Sequence, residues 1–545
     1  MKSDLTNFLF KYEKFIPLLL ILVFLAVTLP GISWGAPSLW NPDELVWRVR
    51  MALGGEMKFD ETEPDFNYPS LPKHVMYAVS WVVRELGGNA SQRLISARLI
   101  SVFLSGLTVL MVYYLARALS KNIYVHLLSA FLMLSNMILV HNARFAHNDL
   151  YLLFFITLSL VSLIKYRLSA NRLWIYLAFF SVGCATSSKY TGATFGVVAV
   201  VVFLITNWSN LFKDWLRTIE TLTIGVVLTV AGYVIGTPKA LLWMSYYFKR
   251  MVPAALLNAS YGRTPDALPG IYGQWRVFQD GVGPVVYYLF LIALIWYVVK
   301  FVSRIFRKPT EDEDRNKAIS VILLSIIVFN IPYLFSYNYQ SRFFLPFVPM
   351  FSILAGLFVG ELIQYLRIKK YNFAIPAIWA AMFLIVSISL LSAISVMLLF
   401  KNDARIPASE FIRTLEPNTH LEYTLYPPHI PENYFAVARN YPIYFVKYLG
   451  EEVPTNKPYQ YNQGEEGLYE RQVDYLVVDS FTYARFSNNY ICETNPVECD
   501  FFNRLIAGET SLNLLGSFEY SLPAFIPKIS LTFVNPDIKI YEVPR

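Results

Sequence analysis

Two adjacent carboxylates, Asp43 and Glu44, are the residues of this chain best placed for chemistry. They follow the first long apolar run, residues 15–32, so they lie where the chain leaves a bilayer. An ionised carboxylate at that boundary can take a proton from a hydroxyl group. The same residues also fit the start of a helix, with Asn41 as the cap, Pro42 as the first helical residue and Glu44 as the capping-box partner. The two interpretations are compatible, and both stay open.

A second group of ionisable residues lies in the loop 141–149, which includes Arg144, His147 and Asp149. This loop opens onto the fourth apolar run. Asn148 and Asp149 also fit a helix cap. Two histidines and two aspartates could together hold a divalent metal, but their spacing matches no standard metal motif. We therefore predict no metal site and no required cofactor, and a divalent metal stays possible.

The composition indicates which elements position these residues. Of the 545 residues, 55% are apolar and only 16% are charged, whereas soluble domains have about 25% charged residues. Uncharged apolar runs recur along the chain, and their lengths are close to the ~20 residues that a helix needs to cross a bilayer. We expect about eleven spans: 15–32, 97–119, 123–140, 150–164, 173–187, 192–205, 221–235, 282–299, 318–334, 343–362 and 373–399. The fifth and sixth nearly abut and also fit a broken or re-entrant pair.

The basic residues predict the orientation of these spans. With the N-terminus in the cytoplasm, most loop lysines and arginines lie inside, as the positive-inside rule requires. The net charge of +7 reflects these loops, and no basic-aromatic groove indicates a nucleic-acid partner. The sequence therefore predicts a multi-pass protein of the plasma membrane. Residues 33–96 and the tail after residue 400 would lie outside the cytoplasm.

The tail, residues 401–545, is richer in Pro, Asn, Tyr and charged residues, and it is long enough to form a domain. The pattern of apolar residues predicts a helix over 404–415, a buried strand over 473–479 and a closing strand over 538–543. An extracytoplasmic α/β domain is expected. Cys492 and Cys499 lie close enough in sequence to form a disulfide in an oxidising compartment. Spacing alone does not decide whether they do.

Five short motifs, taken in order and placement, resemble a known family. They are Asp43-Glu44 after the first span, Ala97-Arg98-Leu99 opening the second, Arg144-x4-Asp149 before the fourth, Ser188-Lys189-Tyr190 between the fifth and sixth, and Arg342-Phe343-Phe344-Leu345-Pro346 opening the tenth. Together they resemble the GT-C glycosyltransferases of the protein O-mannosyltransferase and lipid A aminoarabinose transferase type. The resemblance covers the membrane part, residues 1–400, with 33–96 as its catalytic loop. It implies a helical bundle, a polyprenyl-phosphate sugar donor and inversion at the anomeric carbon.

The resemblance also implies roles for individual residues. Asp43 resembles the family's catalytic aspartate and Glu44 its supporting acid. Asp149 would be a second acid near the acceptor. The residues expected to contact the donor phosphate are Arg98, Lys189 and Arg342. For Lys189 and Arg342 the alternative is a cation that snorkels to the membrane interface.

One motif departs from the family pattern. Where relatives have His- or Lys-Pro-Pro-Leu in the first loop, this chain has Tyr68-Pro69-Ser70-Leu71, followed by Lys73 and His74. The headgroup contacts of this loop, and with them the identity of the sugar, therefore stay open.

Two functional classes fit a membrane protein of this kind. The first is a transferase that moves one sugar from a polyprenyl-phosphate donor, in contact with membrane lipid, to an extracytoplasmic protein, glycan or lipid. The second is a transporter or flippase of lipid-linked sugars, which would have ionisable residues in mid-span and an internal repeat. The ionisable residues here lie at the ends of the spans, and the sequence has no evident repeat. This pattern favours the enzyme.

The predicted orientation can be tested with reporter fusions that are active on only one side of the membrane. A fusion at Lys308 should show the activity of a reporter in the cytoplasm. Fusions at Asn418 or after Arg545 should show the activity of a reporter on the opposite side of the membrane. A cytoplasmic signal from the Arg545 fusion would contradict the orientation and move Asp43 away from the acceptor side.

Overall fold

The computed structural model describes residues 11–55, 68–260, 270–305, 313–445 and 463–545. The chain divides into two compact units. The first comprises most of residues 1–394, and the second comprises Ser33–Pro42 together with Ser395–Arg545. The short segment that precedes Asp43 thus belongs to the unit formed by the tail, which the sequence did not predict.

The first unit is helical because its long uncharged runs must satisfy their backbone hydrogen bonds internally in lipid. Its helices are α1 (Ile16–Thr28), α2 (Val46–Leu53), α3 (Leu71–Glu85), α4 (Ala90–Leu119), α5 (Ile123–Leu134), α6 (Met137–Asn142), α7 (Asp149–Ser169), α8 (Arg172–Ser188), α9 (Phe195–Thr206), α10 (Trp215–Gly236), α11 (Lys239–Leu242), α12 (Met244–Ser260), α13 (Gly270–Val282), α14 (Pro284–Ile305), α15 (Glu313–Asn330), α16 (Phe347–Ile368) and α17 (Ala374–Lys401). The last of these continues into the second unit.

The predicted helical membrane bundle is confirmed. A helix lies at each of the eleven predicted runs. Within the described ranges, seven helices are long and apolar enough to cross a membrane: α4, α7, α10, α14, α15, α16 and α17. The structure therefore supports a multi-pass membrane protein without fixing the number of spans at eleven.

Two of the predicted runs are interrupted. The run 123–140 divides into α5 and α6, because the side chain of Asn136 accepts a hydrogen bond from the Ile138 backbone N–H and starts a new helix. The run 192–205 begins with a 3-10 turn, Tyr190–Thr194, before α9. The sharp connection between α8 and this turn places Lys189 in an extended conformation.

Close packing between α8 and α10 depends on two glycines. A Cβ atom on Gly183 would lie 2.2 Å from the carbonyl oxygen of Thr229, and one on Gly232 would lie 2.5 Å from that of Phe180. Small residues let membrane helices approach in this way. The contact fixes α8, at whose end Lys189 lies.

The second unit contains a five-stranded sheet of order β2-β1-β3-β5-β4. The strands are β1 (His420–Tyr423), β2 (Val437–Asn440), β3 (Tyr475–Asp479), β4 (Asn513–Phe518) and β5 (Ile538–Glu542). β1 runs parallel to β2 and β3, whereas β5 runs antiparallel to β3 and β4. The remaining helices are α18 (Arg405–Ile412), α19 (Gly464–Glu470), α20 (Ser480–Tyr483), α21 (Asn489–Thr494) and α22 (Pro496–Ala507). The predicted α/β character of the tail is confirmed.

Two further features of this unit concern residues discussed above. A disulfide joins Cys492 and Cys499, as the spacing had allowed. The segment Ser33–Pro42 is held by Trp34, whose indole N–H donates to Asp403 at 2.8 Å. The Arg405 guanidinium lies 4.4 Å from the centre of the Trp40 ring, a cation–π contact.

Candidate active site

Four of the six predicted site residues lie together in the first unit. Asp43 lies shortly before α2, Asp149 is the first residue of α7, Lys189 follows α8, and Arg342 lies in a 3-10 turn, Ser341–Phe344, before α16. Each therefore stands at an end of a helix rather than within a span. The other two, Glu44 and Arg98, pair with each other nearby.

Arg342 connects the two aspartates. Its Nη2 donates to Asp43 Oδ2 at 2.8 Å, and its Nε lies 3.6 Å from Asp149 Oδ2. The side chain of Asp43 is 32% exposed, whereas that of Asp149 is only 2% exposed. Of these two carboxylates, Asp43 is thus the one that a ligand from outside can reach.

Asp149 is buried among positively charged and polar groups. Lys189 Nζ donates to its Oδ1 at 2.7 Å, and His147 Nδ1 lies 2.7 Å from its Oδ2. The Lys189 ammonium also lies 4.1 Å from the centre of the Phe343 ring. A buried carboxylate is costly unless it is paired in this way. Asp149 therefore holds two cations and one histidine in place.

The charges of the site follow from its burial and its pairing. Burial alone would raise the pKa of Asp43, but the Arg342 guanidinium beside it more than offsets this, so that its pKa is lowered. Burial lowers the pKa of His147 despite the neighbouring carboxylates, so this imidazole is neutral at neutral pH. Burial also lowers the pKa of Lys189, and the Asp149 carboxylate opposes that effect.

Glu44 and Arg98 form a buried clamp. Arg98 Nε and Nη2 donate to the two carboxylate oxygens of Glu44, each at 2.8 Å, and Nη1 donates to the Ile32 carbonyl at 2.8 Å. Glu44 Oε1 also accepts from the Ala146 backbone N–H at 2.9 Å. Both side chains are fully buried. The clamp joins the segment before α2 to α4 and to the loop that carries His147.

The helix start near Asp43 differs from the sequence-based alternative, whereas α7 starts at Asp149 with Asn148 as its cap residue, as that alternative had it. Helix α2 begins at Val46 with Leu45 as its cap residue, so the predicted cap at Asn41 was wrong. The side chain of Asn148 does not cap α7. It donates instead to the Ser188 carbonyl at 3.2 Å, which ties the start of α7 to the end of α8.

Arg144, the first residue of the Arg144-x4-Asp149 motif, is also structural. It is fully buried and donates to the carbonyl oxygens of Val140, at 2.5 Å, and of Val27. These bonds hold the end of α1 against the loop 141–149. The motif therefore combines one anchoring residue, Arg144, with one residue of the cluster formed by Asp43, Asp149, Lys189 and Arg342.

Three further residues that contact this cluster had no catalytic or donor-binding role in the sequence analysis. His147 contacts Asp149, Phe343 contacts Lys189, and the Tyr68 ring lies edge-on to His147 with ring centres 5.7 Å apart. Tyr68 belongs to the motif that departs from the family pattern, and this departure was the sequence signal that could have identified it. His147 and Phe343 are close in sequence to predicted site residues, but the sequence does not show that their side chains point toward the site.

The described ranges contain no group of three or more His, Cys, Asp or Glu side chains arranged to hold a metal ion. Between Asp43 and Asp149, the position that a shared cation would take is occupied by the Arg342 guanidinium. The residues present thus fit an arginine better than a metal at this point.

Part of the sequence and the overall fold are similar to known proteins. Residues 43–252 match the family model described as dolichyl-phosphate-mannose-protein mannosyltransferase. The fold is similar to that of the oligosaccharyltransferase of Archaeoglobus fulgidus in its apo form, with a TM-score of 0.51 at 11% identity, over 95% of this chain and 76% of that chain. A similarity to ArnT from Cupriavidus metallidurans bound to undecaprenyl phosphate has a TM-score of 0.48 at 12% identity, over 96% of this chain and 97% of that chain. Comparison with curated proteins gives no match. The family match over residues 43–252 and the fold similarity to the oligosaccharyltransferase confirm the predicted resemblance to GT-C glycosyltransferases and the predicted fold class.

The clamp suggests a test of whether Arg98 binds the donor or stabilises the fold. Arg98→Met leaves the Glu44 carboxylate buried without its partner, and breaking a buried pair costs about 3–5 kcal/mol. We expect a clearly lower thermal unfolding midpoint in detergent. Arg117→Met on the same helix is the control, because Arg117 is 50% exposed in its pair with Glu13 and such pairs contribute about 0–1 kcal/mol. A stable Arg98→Met protein with a weakened donor dependence would instead support the donor-binding role.

Proposed function

We propose that this protein is a membrane glycosyltransferase that moves one sugar from a polyprenyl-phosphate donor to an acceptor hydroxyl outside the cytoplasm. The observation that carries the proposal is Arg342 between Asp43 and Asp149, with Asp43 as the partly exposed carboxylate. A base and a phosphate-binding cation thereby stand side by side. The match of residues 43–252 to a family described by a dolichyl-phosphate-mannose donor supports the same donor class.

Asp43 acts as the base in this proposal. Its lowered pKa keeps it ionised at neutral pH, as a proton acceptor must be. The acceptor oxygen loses its proton to Asp43 and attacks the anomeric carbon in line. The bond between that carbon and the phosphate oxygen breaks, and the configuration at the carbon inverts.

Arg342 and Lys189 stabilise the departing polyprenyl phosphate. Charge-assisted hydrogen bonds from a guanidinium or ammonium to a phosphate are among the stronger hydrogen bonds in proteins. Arg342 is 11% exposed and Lys189 is 13% exposed, so both are partly shielded from water, which strengthens their attraction for an anion.

Asp149 and His147 position the cations in this proposal. Asp149 is almost fully buried, and its contacts with Lys189, His147 and Arg342 support a role in holding the cations rather than in contacting the acceptor. The Nε2 atom of His147 is buried and has no hydrogen-bond partner in the part of the chain that the structure describes. It is as shielded as Asp149, so in this proposal His147 acts through its contact with Asp149.

The base is tested by Asp43→Asn, which keeps the size and hydrogen-bonding capacity of the side chain but removes its basicity at neutral pH. We expect transfer to fall by at least ~10²-fold, the lower range for loss of a general base, with an unchanged unfolding midpoint. Asp149→Asn serves as the comparison. It removes the negative charge that pairs with buried cations, so it should lower the unfolding midpoint as well. Near-normal transfer by Asp43→Asn would return Asp43 to a structural role.

The phosphate site is tested by Arg342→Ala, assayed by titration of a polyprenyl-phosphate sugar. Loss of one charge-assisted hydrogen bond, about 1.5–3 kcal/mol, should weaken the donor dependence by one to two orders of magnitude at about 1.4 kcal/mol per tenfold. Arg342→Lys should recover only part of it, because the planar fork is lost. The control is Arg367→Ala at the far, exposed end of α16. A donor titration of Arg342→Ala that matches the wild type would show that Arg342 is only an interfacial anchor.

A further inference from the structure

Helix α12, Met244–Ser260, carries a row of exposed apolar side chains that no part of the mechanism uses. Met244, Phe248, Val252 and Leu256 are 54%, 45%, 48% and 68% exposed. Their spacing of four residues places them on one face of the helix. We call these four residues the apolar stripe. An exposed apolar stripe of this kind marks a surface that contacts a membrane or another protein.

The position of α12 in the chain limits what the stripe can contact. Helix α10, one of the membrane-spanning candidates, ends at Gly236, and α12 begins eight residues later. The lipid-facing side chains of α10 continue to its end, where Ile235 is 69% exposed. Helix α12 therefore begins at the boundary of the bilayer, beside a surface that already faces lipid.

This boundary is the one at which the candidate active site lies. Thr237, just after α10, is hydrogen-bonded through its hydroxyl to Ser187 at 2.7 Å, two residues before Lys189. The backbone N–H of Ser70 donates to the same hydroxyl at 3.1 Å. The end of α10 and the end of α8 thus reach the same side of the membrane.

A second face of α12 is fixed to the turn that follows Lys189. The Tyr247 hydroxyl lies 2.9 Å from that of Tyr190 and 2.6 Å from that of Tyr233 on α10. Tyr247 is almost fully buried, in contrast to its neighbours Tyr246 and Phe248. This chain of hydroxyl groups sets which face of α12 points to the bundle and so sets the direction of the apolar stripe.

Outside the apolar stripe, α12 also carries the exposed basic residues Lys249 and Arg250. Basic residues beside an apolar stripe are typical of helices that lie in the membrane interface, where they meet phosphate headgroups while the stripe reaches the acyl chains. Anionic lipid complements these charges.

We propose that α12 is an interfacial helix that lies in the headgroup layer, with the apolar stripe in contact with lipid acyl chains. Lipid would then set the depth of the helix and, through Tyr247, the depth of the turn that follows Lys189. The inference does not depend on the proposed glycosyl transfer.

The proposal can be tested with nitroxide labels on single cysteines introduced into the full chain in nanodiscs of phosphatidylcholine and phosphatidylglycerol. Labelling is feasible because Cys492 and Cys499 are bridged and Cys184 is buried. Labels replace Phe248 and Val252 in the stripe, and Tyr246 and Arg250 outside it as matched controls. The measurement is the collision rate of each label with oxygen, which enters lipid, and with a charged nickel chelate, which stays in water.

We expect the ratio of oxygen to nickel collisions to be several-fold higher at the two stripe positions than at the two controls. Equal, water-like ratios at all four positions would overturn the proposal. Low collision rates with both reagents at the stripe would also overturn it, because they would show that protein, such as a second copy of the chain, covers the stripe. If a label at Phe248 disrupts the fold, Met244 and Leu256 provide equivalent stripe positions.

Discussion

The arrangement of the candidate site depends on one charge, the guanidinium of Arg342. Two carboxylates, one of them almost completely buried, face each other across it at 2.8 Å and 3.6 Å. Without a cation between them, neither could stay ionised at low cost near lipid, because like charges in a poorly screened environment repel strongly. An arginine suits this position better than a lysine, since its planar fork can meet two acceptors from one fixed orientation.

The Arg342 guanidinium can pair with both carboxylates only if the helix ends that carry them are held in place. Most of the other buried polar contacts around the site hold these helix ends. The Glu44–Arg98 clamp fixes the segment that carries Asp43, and the Asn148 side chain ties the start of α7 to the end of α8. Gly183 and Gly232 hold α8 against α10. None of these ties uses the side chain of Asp43, which stays partly exposed.

The sequence predicted the parts of this structure that depend on local composition. Uncharged runs located the helices, and the acidic and basic residues at their ends located most of the cluster. The sequence could not distinguish Glu44 and Arg98, which are buried as a pair, from Asp43 and Arg342, which are partly exposed, because all four are charged residues at span ends. Asp43 and Arg342 are 299 residues apart, and a contact of that separation has no local signal. The break between α5 and α6 was missed because Asn136 is a single polar residue in an otherwise continuous apolar run, and one such residue does not by itself indicate a helix end.

The contact between Asp43 and Arg342 has a consequence for the order of events in the proposed reaction. While the guanidinium is paired with Asp43, it lowers the pKa of the carboxyl and so weakens it as a base. A donor phosphate that enters the site competes for the same guanidinium, since both ligands are anionic oxygens. In the proposed reaction, a phosphate that shares the guanidinium would weaken its contact with Asp43, and the pKa of that carboxyl would rise because burial is then less opposed. With Asp43 as the proposed base, we expect its basicity to be greatest when the donor is bound, which would couple proton removal from the acceptor to the presence of the sugar that it attacks.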